Sequence, residues 1–215
     1  MPGVLRVNEI FHSIQGESTA AGLPCVFVRL TGCHLRCSWC DTTYAFHEGR
    51  PMSVDEVLDE VARYPCRTVE LTGGEPLLQP EAIPLMARLL AHGYRVLLET
   101  GGAAPIDAVP EGVTVVLDVK CPGSGESARN LWENLDRLRP GDEIKFVVRD
   151  REDYVWAVRT IAERGLHSRA KLLMSPVFGE LEAALLAEWI LEDGAPVRLQ
   201  LQLHKILWPG VERGV

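Results

Sequence analysis

Three cysteines crowd into one short segment of the chain, Cys33, Cys37 and Cys40, with the spacing C-x3-C-x2-C. Thiolates are the usual protein ligands of iron–sulfur clusters, and a cubane cluster normally takes four of them. Three thiolates from one loop leave one iron without a protein ligand. That iron is then free to bind an external chelator and to pass it an electron. We call residues 33–40 the cysteine loop.

The competing interpretation of the same cysteines is a structural zinc site. Such sites are closed and four-coordinate, so they need a fourth ligand, and the candidates are His34, Cys66 and Cys121. Zinc fingers usually offer two pairs of ligands, however, and no second pair follows here. We expect Cys25, Cys66 and Cys121 to be buried thiols that act as small apolar side chains.

A second candidate for chemistry is the run Gly73-Gly74-Glu75-Pro76. Glycine has no Cβ, so the backbone at this point can approach a ligand closely or adopt a positive φ. The Glu75 carboxylate is suited to pair with an ammonium group. The alternative is that this run is only a tight turn between a strand and a helix. The position of the run directly after the second predicted strand favours a ligand site.

Short runs rich in valine and leucine alternate with amphipathic stretches along the chain. We predict seven strands, at residues 25–30, 68–72, 94–100, 113–120, 143–148, 170–174 and 197–203. We predict five helices, at residues 54–63, 81–91, 128–137, 152–164 and 180–191. Ser53 and Glu56 have the spacing of a capping box, and Gly93 and Gly165 are placed to end helices.

Strands that alternate with helices predict parallel pairing through right-handed crossovers. Seven strands with five helices predict an incomplete, TIM-like α/β barrel in a single domain spanning residues 1–215. In such barrels the chemistry gathers at the carboxyl ends of the strands. The cysteine loop, the glycine pair and several polar residues all follow predicted strands, and this agreement does not depend on any single motif.

The composition excludes several classes of protein. The formal net charge of −8 opposes binding to a nucleic-acid backbone. The sequence has no apolar run long enough for a membrane helix, and its first residues, from Met1 to Arg6, do not have the pattern of a secretory signal. We therefore expect a cytoplasmic protein that binds neither nucleic acid nor membrane.

The cysteine spacing, with Trp39 before the last cysteine, resembles the signature of radical S-adenosylmethionine (SAM) enzymes, and Gly73-Gly74-Glu75-Pro76 resembles their SAM-binding motif. The resemblance implies a 4Fe-4S cluster on Cys33, Cys37 and Cys40, whose open iron binds the amino and carboxylate groups of SAM. It also implies SAM contacts from Trp39, Cys40, Asp41, Gly74, Glu75, Asp118, Val119, Lys120 and Ser175. For the last four, an ordinary loop role is the alternative.

A narrower resemblance comes from the segment Asn8 to Ser18, which is similar to the start of the 7-carboxy-7-deazaguanine synthases of the queuosine pathway. Further matches are Cys40-Asp41-Thr42, Leu71 to Leu77, Leu98-Glu99-Thr100-Gly101-Gly102 and Leu201-Gln202-Leu203-His204-Lys205. The family is a lyase family that converts 6-carboxy-5,6,7,8-tetrahydropterin to 7-carboxy-7-deazaguanine. A radical derived from SAM removes the C6 hydrogen, the ring contracts, ammonia is lost and SAM is regenerated.

The same resemblance implies a Mg²⁺ ion on Thr42, since Mg²⁺ takes few protein ligands. It implies a substrate shell of Ile14, Gln15, Gly16, Glu17, Arg29, Thr72 and His204. Arg29 suits a carboxylate because its guanidinium forms two parallel hydrogen bonds. Turn, surface or solvated roles are the alternatives for these residues. Two segments have no assigned role, the loop at 121–126 and the tail at 208–215.

Three hypotheses are therefore carried forward. The first is the deazaguanine synthase, with a small-molecule substrate, a flavodoxin-like or other reductant, and a homodimeric assembly as the base-rate expectation. The second is a radical SAM activase that forms a glycyl radical on a partner protein. The third is a zinc module without catalytic activity.

Overall fold

The computed structural model describes residues 3–215. Met1 and Pro2, the first residues of the segment predicted not to be a secretory signal, lie outside the described residues. It contains nine strands: β1 (Val4–Ile14), β2 (Pro24–Leu30), β3 (Arg50–Ser53), β4 (Thr68–Gly73), β5 (Arg95–Thr100), β6 (Val113–Asp118), β7 (Glu143–Val148), β8 (Lys171–Pro176) and β9 (Arg198–Leu199). They form one sheet in the order β3-β1-β2-β4-β5-β6-β7-β8-β9. Within residues 3–215, each helix is too short or too polar to span a membrane.

The seven strands predicted from the sequence form the parallel part of the sheet. Strand β2 pairs with β4, and each later strand pairs in parallel with the next, up to β9. The two edges of the sheet, β3 and β9, do not pair with each other among the described residues. The sheet therefore stays open, and the prediction of an incomplete α/β barrel is confirmed.

Two strands at the other side of the sheet were not predicted. Strand β1 runs antiparallel to both β2 and β3. The alternation of apolar and polar residues in β1 is interrupted because the register shifts between Val7 and Glu9. A bulge of this kind adds a residue to one strand and breaks the period of two on which strand prediction depends.

Four of the predicted helices are present, as α1 (Val54–Val61), α2 (Ala82–Ala91), α3 (Arg151–Glu163) and α4 (Ala183–Asp193). The capping box is also present, because the Ser53 side chain accepts from the Glu56 N–H and the Glu56 side chain accepts from the Ser53 N–H. Gly93 and Gly165, which follow α2 and α3, both have positive φ as expected of residues that end helices.

The helix predicted at residues 128–137 is wrong. Two short 3-10 turns occupy this stretch, Ser127–Arg129 and Trp132–Asp136. The Asn134 side chain donates to the carbonyls of Gly102 and Ala104, at 3.2 and 2.8 Å, and the Leu131 N–H donates to Gly102. These tertiary hydrogen bonds replace the bonds that a continuous helix would make.

The last predicted strand, residues 197–203, is also largely wrong. Only Arg198 and Leu199 pair with β8, and the short helix α5 (Leu203–Leu207) begins where the strand was expected to end. The Leu203 N–H donates to the Gly16 carbonyl at 3.1 Å. Contact with the loop after β1 therefore pulls this segment away from the sheet.

The two faces of the parallel strands differ in chemistry. The face under the helices forms the main apolar core, with fully buried Leu71, Leu98, Val115 and Ile144. Alternate residues of a strand point to opposite faces. The neighbours of those core residues are therefore on the concave face of the sheet, and several are polar or charged: Glu70, Thr72, Glu99, Thr114, Glu143 and Lys145.

Candidate functional site

A cavity of about 470 Å³ opens at the carboxyl ends of the parallel strands. This size is in the range of sites for small molecules and cofactors. The cysteine loop forms one side of it, the loop after β1 forms another, and helix α5 and the C-terminal residue complete the wall. The cavity therefore collects residues from both ends of the sequence.

The three cysteines of the cysteine loop all line this cavity. The loop is compact, because the Cys40 N–H donates to the Cys37 carbonyl at 3.2 Å and the Leu35 N–H points to the Cys33 sulfur at 3.4 Å. Burial raises the pKa of the Cys33 and Cys37 thiols. A bound metal reverses this effect, because a coordinating thiol is deprotonated outright.

The candidates for a fourth zinc ligand lie away from the cavity that the three thiols line. His34, Cys66 and Cys121 are not on its wall, and Cys66 precedes β4, at the opposite end of the strand from the cysteine loop. In a cubane cluster each thiolate binds a different iron, and one iron can be left without a protein ligand. The three thiols therefore suit a cluster better than zinc.

The glycine pair positions the cysteine loop. The Gly74 N–H donates to the Leu30 carbonyl at 3.0 Å, and the Glu75 N–H donates to the Gly32 carbonyl at 2.8 Å. A Cβ on Gly74 would overlap with the Gly32 carbonyl. Glycine is therefore required here for a close approach of two backbones, in addition to any approach to a ligand.

The Glu75 side chain is buried at the base of this turn and does not line the cavity. Its carboxylate accepts from the Thr100 hydroxyl, at 2.8 and 2.9 Å, and from the Gly101 N–H at 2.8 Å. Burial raises the Glu75 pKa in spite of these bonds. Glu75 thus joins the ends of β4 and β5, and its contact with SAM stays a prediction.

The other residues expected to contact SAM lie in two environments. Trp39, Asp41, Gly74, Asp118 and Lys120 line the cavity. The Lys120 ammonium bonds to Asp118 at 2.7 Å, and although burial opposes its charge, Asp118 raises the Lys120 pKa.

Val119 and Ser175 are buried and lie off the cavity wall. The Ser175 hydroxyl and both ring nitrogens of His34, beside Cys33, are buried without a hydrogen-bond partner among the described residues. Buried polar groups normally have partners, so these unsatisfied atoms mark positions where a bound group would complete the bonding.

All seven residues expected to contact the substrate line the cavity, namely Ile14, Gln15, Gly16, Glu17, Arg29, Thr72 and His204, and Thr42 lines it as well. The Gln15 amide is already engaged: its oxygen accepts from the Glu17 N–H at 2.8 Å, and its nitrogen donates to Glu70. A Cβ on Gly16 would overlap with the His204 ring. Gln15 and Gly16 therefore shape the loop that presents Glu17.

The Arg29 side chain is oriented by one carboxylate and two aromatic rings. Its Nε bonds to Glu9 at 2.7 Å, and its guanidinium carbon lies 5.5 Å from the centre of the Phe11 ring and 5.9 Å from that of Tyr44. The terminal nitrogens make no hydrogen bond to residues 3–215 in the structure. These nitrogens are the part of the side chain that can form paired hydrogen bonds with a carboxylate.

Three charged residues of the sheet, Glu70, Glu99 and Lys145, are absent from the predicted site, and they lie with the predicted Glu17 on the cavity wall. Lys145 lies 3.0 Å from Glu17, bonds to Glu99, and is 3.9 Å from Asp118. Burial opposes its charge, but Glu17 and Glu99 raise the Lys145 pKa well above its usual value. Lys145 in turn lowers the Glu99 pKa, against the effect of burial. We call Glu17, Glu70, Glu99 and Lys145 the charged floor.

Glu70 differs from the other members of the charged floor. Its side chain is buried, and Gln15 is its hydrogen-bond donor. Burial first, and then the nearby Glu99 and Glu17 carboxylates, raise the Glu70 pKa well above its ordinary value. The floor therefore combines the Lys145 ammonium with three carboxyl groups, of which Glu99 has a lowered pKa and Glu70 a raised pKa.

The signal for these residues was present in the sequence as polar residues inside apolar strands, two positions apart. Glu143 and Lys145 share one face of β7, and Glu70 and Thr72 share one face of β4. Charged residues are rarely buried unless they are paired or functional. A search for this pattern would have found Glu70 and Lys145, but not Glu99, because the residue two positions before it is Leu97.

A further ion pair and a histidine also line the cavity. Lys205 bonds to Asp41 at 2.7 Å and, against the effect of burial, holds the Asp41 pKa below its ordinary value. Burial lowers the pKa of His204, which favours its neutral imidazole. A neutral imidazole has one nitrogen that donates and one that accepts.

Comparison with known proteins agrees with this geometry. Residues 27–187 match the family model of the radical SAM superfamily. The chain is 48% identical to the 7-carboxy-7-deazaguanine synthase of Koribacter versatilis, over 98% of this chain and 100% of that protein. It is 47% identical to the 7-carboxy-7-deazaguanine synthase of Chlorobaculum tepidum, over 98% and 97% of the two chains.

Two solved structures share the fold. The crystal structure of QueE from Escherichia coli has a TM-score of 0.78 at 24% identity and covers 93% of this chain and 94% of that chain. The crystal structure of Streptococcus suis SuiB has a TM-score of 0.56 at 13% identity and covers 84% of this chain and 50% of that chain. At these identities the likeness concerns the fold alone.

Proposed function

Because this chain belongs to the radical SAM superfamily and, within it, to the 7-carboxy-7-deazaguanine synthases, we propose that it converts 6-carboxy-5,6,7,8-tetrahydropterin to 7-carboxy-7-deazaguanine with loss of ammonia. The observation that carries this proposal is a single cavity lined by three thiols, by Arg29 and by the charged floor. In this proposal residues 1–215 work as one domain, since the cavity needs Ile14 as well as His204.

The family implies a 4Fe-4S cluster and SAM, and the residues present fit them. Cys33, Cys37 and Cys40 would hold the cluster, leaving one iron for SAM, while Trp39, Asp41, Gly74, Asp118 and Lys120 lie where they would line the SAM site. When bound, the cluster and SAM supply an electron and a carbon-centred radical that removes a hydrogen atom from the substrate.

The chain's own residues then bind and orient the pterin. The terminal nitrogens of Arg29 would bind its carboxylate through paired hydrogen bonds. The Glu17 carboxylate is held by Lys145 at 3.0 Å and by Gln202 at 3.0 Å, so it is fixed as an acceptor for the N–H groups of the pyrimidine edge. His204, which lies against Gly16, would add a further polar contact to the substrate. Fixed donors and acceptors hold the reacting carbon in one orientation.

We also propose that Mg²⁺ binds beside the cluster, on the Thr42 hydroxyl. This hydroxyl lines the cavity and lies 3.9 Å from the Cys40 sulfur. Mg²⁺ needs few protein ligands when waters and substrate oxygens supply the rest. A cation at this position would join Arg29 in holding the substrate carboxylate.

The finer expectations about assembly and surroundings belong to the same proposal. A low-potential reductant, such as a flavodoxin-like protein, would supply the electron, and two copies would form a symmetric dimer as most soluble oligomers do. Free thiols that must bind a cluster favour the reducing cytoplasm. A glycyl-radical activase is not favoured, because the polar cavity and charged floor are built for a small molecule.

The test is anaerobic incubation of the reconstituted protein with SAM, dithionite and carboxytetrahydropterin, followed by mass analysis. We expect one deazaguanine and one ammonia for each substrate consumed. If SAM is cleaved to deoxyadenosine while the pterin is unchanged, the substrate is a different molecule and the proposal is wrong.

A further inference from the structure

The loop at residues 121–126, which directly follows β6 and Lys120, makes three hydrogen bonds to the cysteine loop. The Arg36 N–H donates to the Glu126 carboxylate at 2.7 Å. The Ser38 N–H donates to the Ser124 carbonyl at 3.1 Å, and the Ser38 hydroxyl donates to the Gly123 carbonyl at 2.9 Å. Arg36 and Ser38 are the residues on either side of Cys37, so these bonds fix the backbone of that one cysteine.

The 121–126 loop is itself firmly anchored. The Gly123 N–H donates at 2.7 Å to the carboxylate of Asp153, which lies in the first turn of α3 and is almost fully buried. The same carboxylate accepts from the Arg149 N–H at 3.1 Å. A Cβ on Gly123 would overlap with the Asp153 carboxylate. The anchor therefore requires glycine at this position.

Bonds inside the loop add to this rigidity. The Ser124 hydroxyl donates to the Cys121 carbonyl at 2.6 Å and accepts from the Glu126 N–H at 3.1 Å. Ser124 is 1% exposed. The loop is therefore a fixed support whose carbonyl and carboxylate acceptors face the cysteine loop.

The other side of the cysteine loop has a different support. The turn after β4 holds Gly32, the residue before Cys33, through the Glu75 N–H. The motif of the family thus supports Cys33, while no part of that motif touches Arg36 or Ser38 through a hydrogen bond within residues 3–215. Cys37 depends on a segment to which the sequence motifs give no role.

We infer that residues 121–126 form a clamp that positions Cys37, and that Asp153 is the residue on which the clamp depends. These are positioning residues and take no part in the chemical step. Groups that orient metal ligands commonly change metal affinity by about 10- to 100-fold when they are removed. The inference concerns retention of the cluster only, so it stands or falls independently of the substrate.

The test compares cluster loss in three variants. Ser38→Ala combined with Glu126→Ala removes two of the three hydrogen bonds with little effect on the apolar core, because neither side chain belongs to it. Asp153→Asn weakens the anchor. The control is Ser53→Ala, which removes the N-cap of α1 and has no hydrogen bond to Asp153 or to the 121–126 loop.

The readout is the rate at which anaerobically reconstituted protein loses its cluster to an excess of chelator, followed by absorbance, together with iron and sulfide content and the Tm of the cluster-free protein. We expect roughly tenfold faster loss in the double variant and in Asp153→Asn. Ser53→Ala should lower Tm without faster loss. Loss at the wild-type rate in both clamp variants, or loss that simply follows Tm across all three, would overturn the inference.

Discussion

The cysteine loop and the charged floor line one cavity, but they are encoded in different ways. The three cysteines lie within eight positions of the sequence, so their spacing predicted a metal-binding loop, and the family resemblance then favoured a cluster over zinc. The charged floor takes one residue from each of four separate segments, the loop after β1 and strands β4, β5 and β7. A site made by one loop can be read from a motif, whereas a site made by neighbouring strands becomes visible only when the sheet is assembled.

The two regions also differ in what holds them. The cysteine loop is held by hydrogen bonds of both its backbone and its side chains, three of them to the 121–126 loop, and its thiols are free to bind a ligand that the chain does not supply. The charged floor is satisfied internally, because Lys145 has Glu17 and Glu99 as partners. Loss of Lys145 should therefore damage folding as well as function, while loss of a cysteine should damage function alone.

The largest effect is expected from Cys37→Ala. A cluster with only two protein thiolates should not be retained, and turnover should fall by more than about 10³-fold, which corresponds to roughly 4 kcal/mol of barrier. The fold should survive, because this thiol is not part of the apolar core. Iron content, activity and the far-UV circular dichroism spectrum check this. A variant that unfolds instead would remove the contrast with the floor.

The next effect is expected from Lys145→Met. This change leaves Glu17 and Glu99 close together without their cation, and breaking a buried ion pair costs about 3–5 kcal/mol of unfolding free energy. Urea unfolding of the cluster-free protein measures it. Lys171→Met is the matched control, because Lys171 is exposed on the neighbouring strand. Adding Glu99→Gln should restore part of the loss, and equal stability of Lys145→Met and wild type would refute an energetic role for the floor.

A smaller effect is expected from Arg29→Lys, which keeps the charge but removes the forked geometry. Losing a charge-assisted hydrogen bond costs about 1.5–3 kcal/mol, so kcat/KM should fall by roughly 10- to 100-fold. Steady-state kinetics on the carboxytetrahydropterin provide the value. A pterin analogue without the carboxylate should react equally poorly with wild type and with Arg29→Lys. If Arg29→Lys lowers kcat/KM for that analogue as much as it does for the full substrate, Arg29 does not bind the carboxylate.

The smallest effect concerns pH and Glu70. Because its pKa is raised in the folded protein, the folded state holds this proton above the pH at which the unfolded chain releases it. This contribution to stability is present below about pH 4.3 and is lost as the pH rises toward the folded pKa. Relative to wild type, Glu70→Gln should therefore become more stable as the pH rises from 4 to 8.

Unfolding of the cluster-free proteins across that range checks the gain, with exposed Glu111→Gln as the control that should show no trend. A difference between Glu70→Gln and wild type that stays constant with pH would mean that Glu70 is ionised in the folded protein.

The parallel strands and most helices were predictable because each depends on local patterns. The failures came from long-range contacts. Asn134 bonds to the segment after β5 and prevents a helix, and Leu203 bonds to Gly16 and ends a strand early. Neither partner is near in sequence, so no local pattern reports these contacts.

Most residues of the candidate site that belong to sequence motifs were predicted, and fewer of those outside motifs were. Family motifs led to the cysteines, Arg29 and Glu17, and all of these line the cavity. The motif residue Glu75 lies behind the wall, joined to Thr100, because its carboxylate is better satisfied by the backbone of the next strand. Lys145 carries no motif and was missed, although it is the cation that organises the floor.

The central claim is that the cluster, SAM and the substrate are bound in one cavity. Electron paramagnetic resonance of the reduced cluster tests this claim most directly, because the spectrum reports on groups that bind next to the cluster. Addition of SAM should shift the spectrum, and subsequent addition of carboxytetrahydropterin should shift it again. Arg29→Lys should retain the first shift and lose the second at the same substrate concentration. A substrate that binds by equilibrium dialysis but leaves the spectrum of the SAM-bound cluster unchanged would contradict the account.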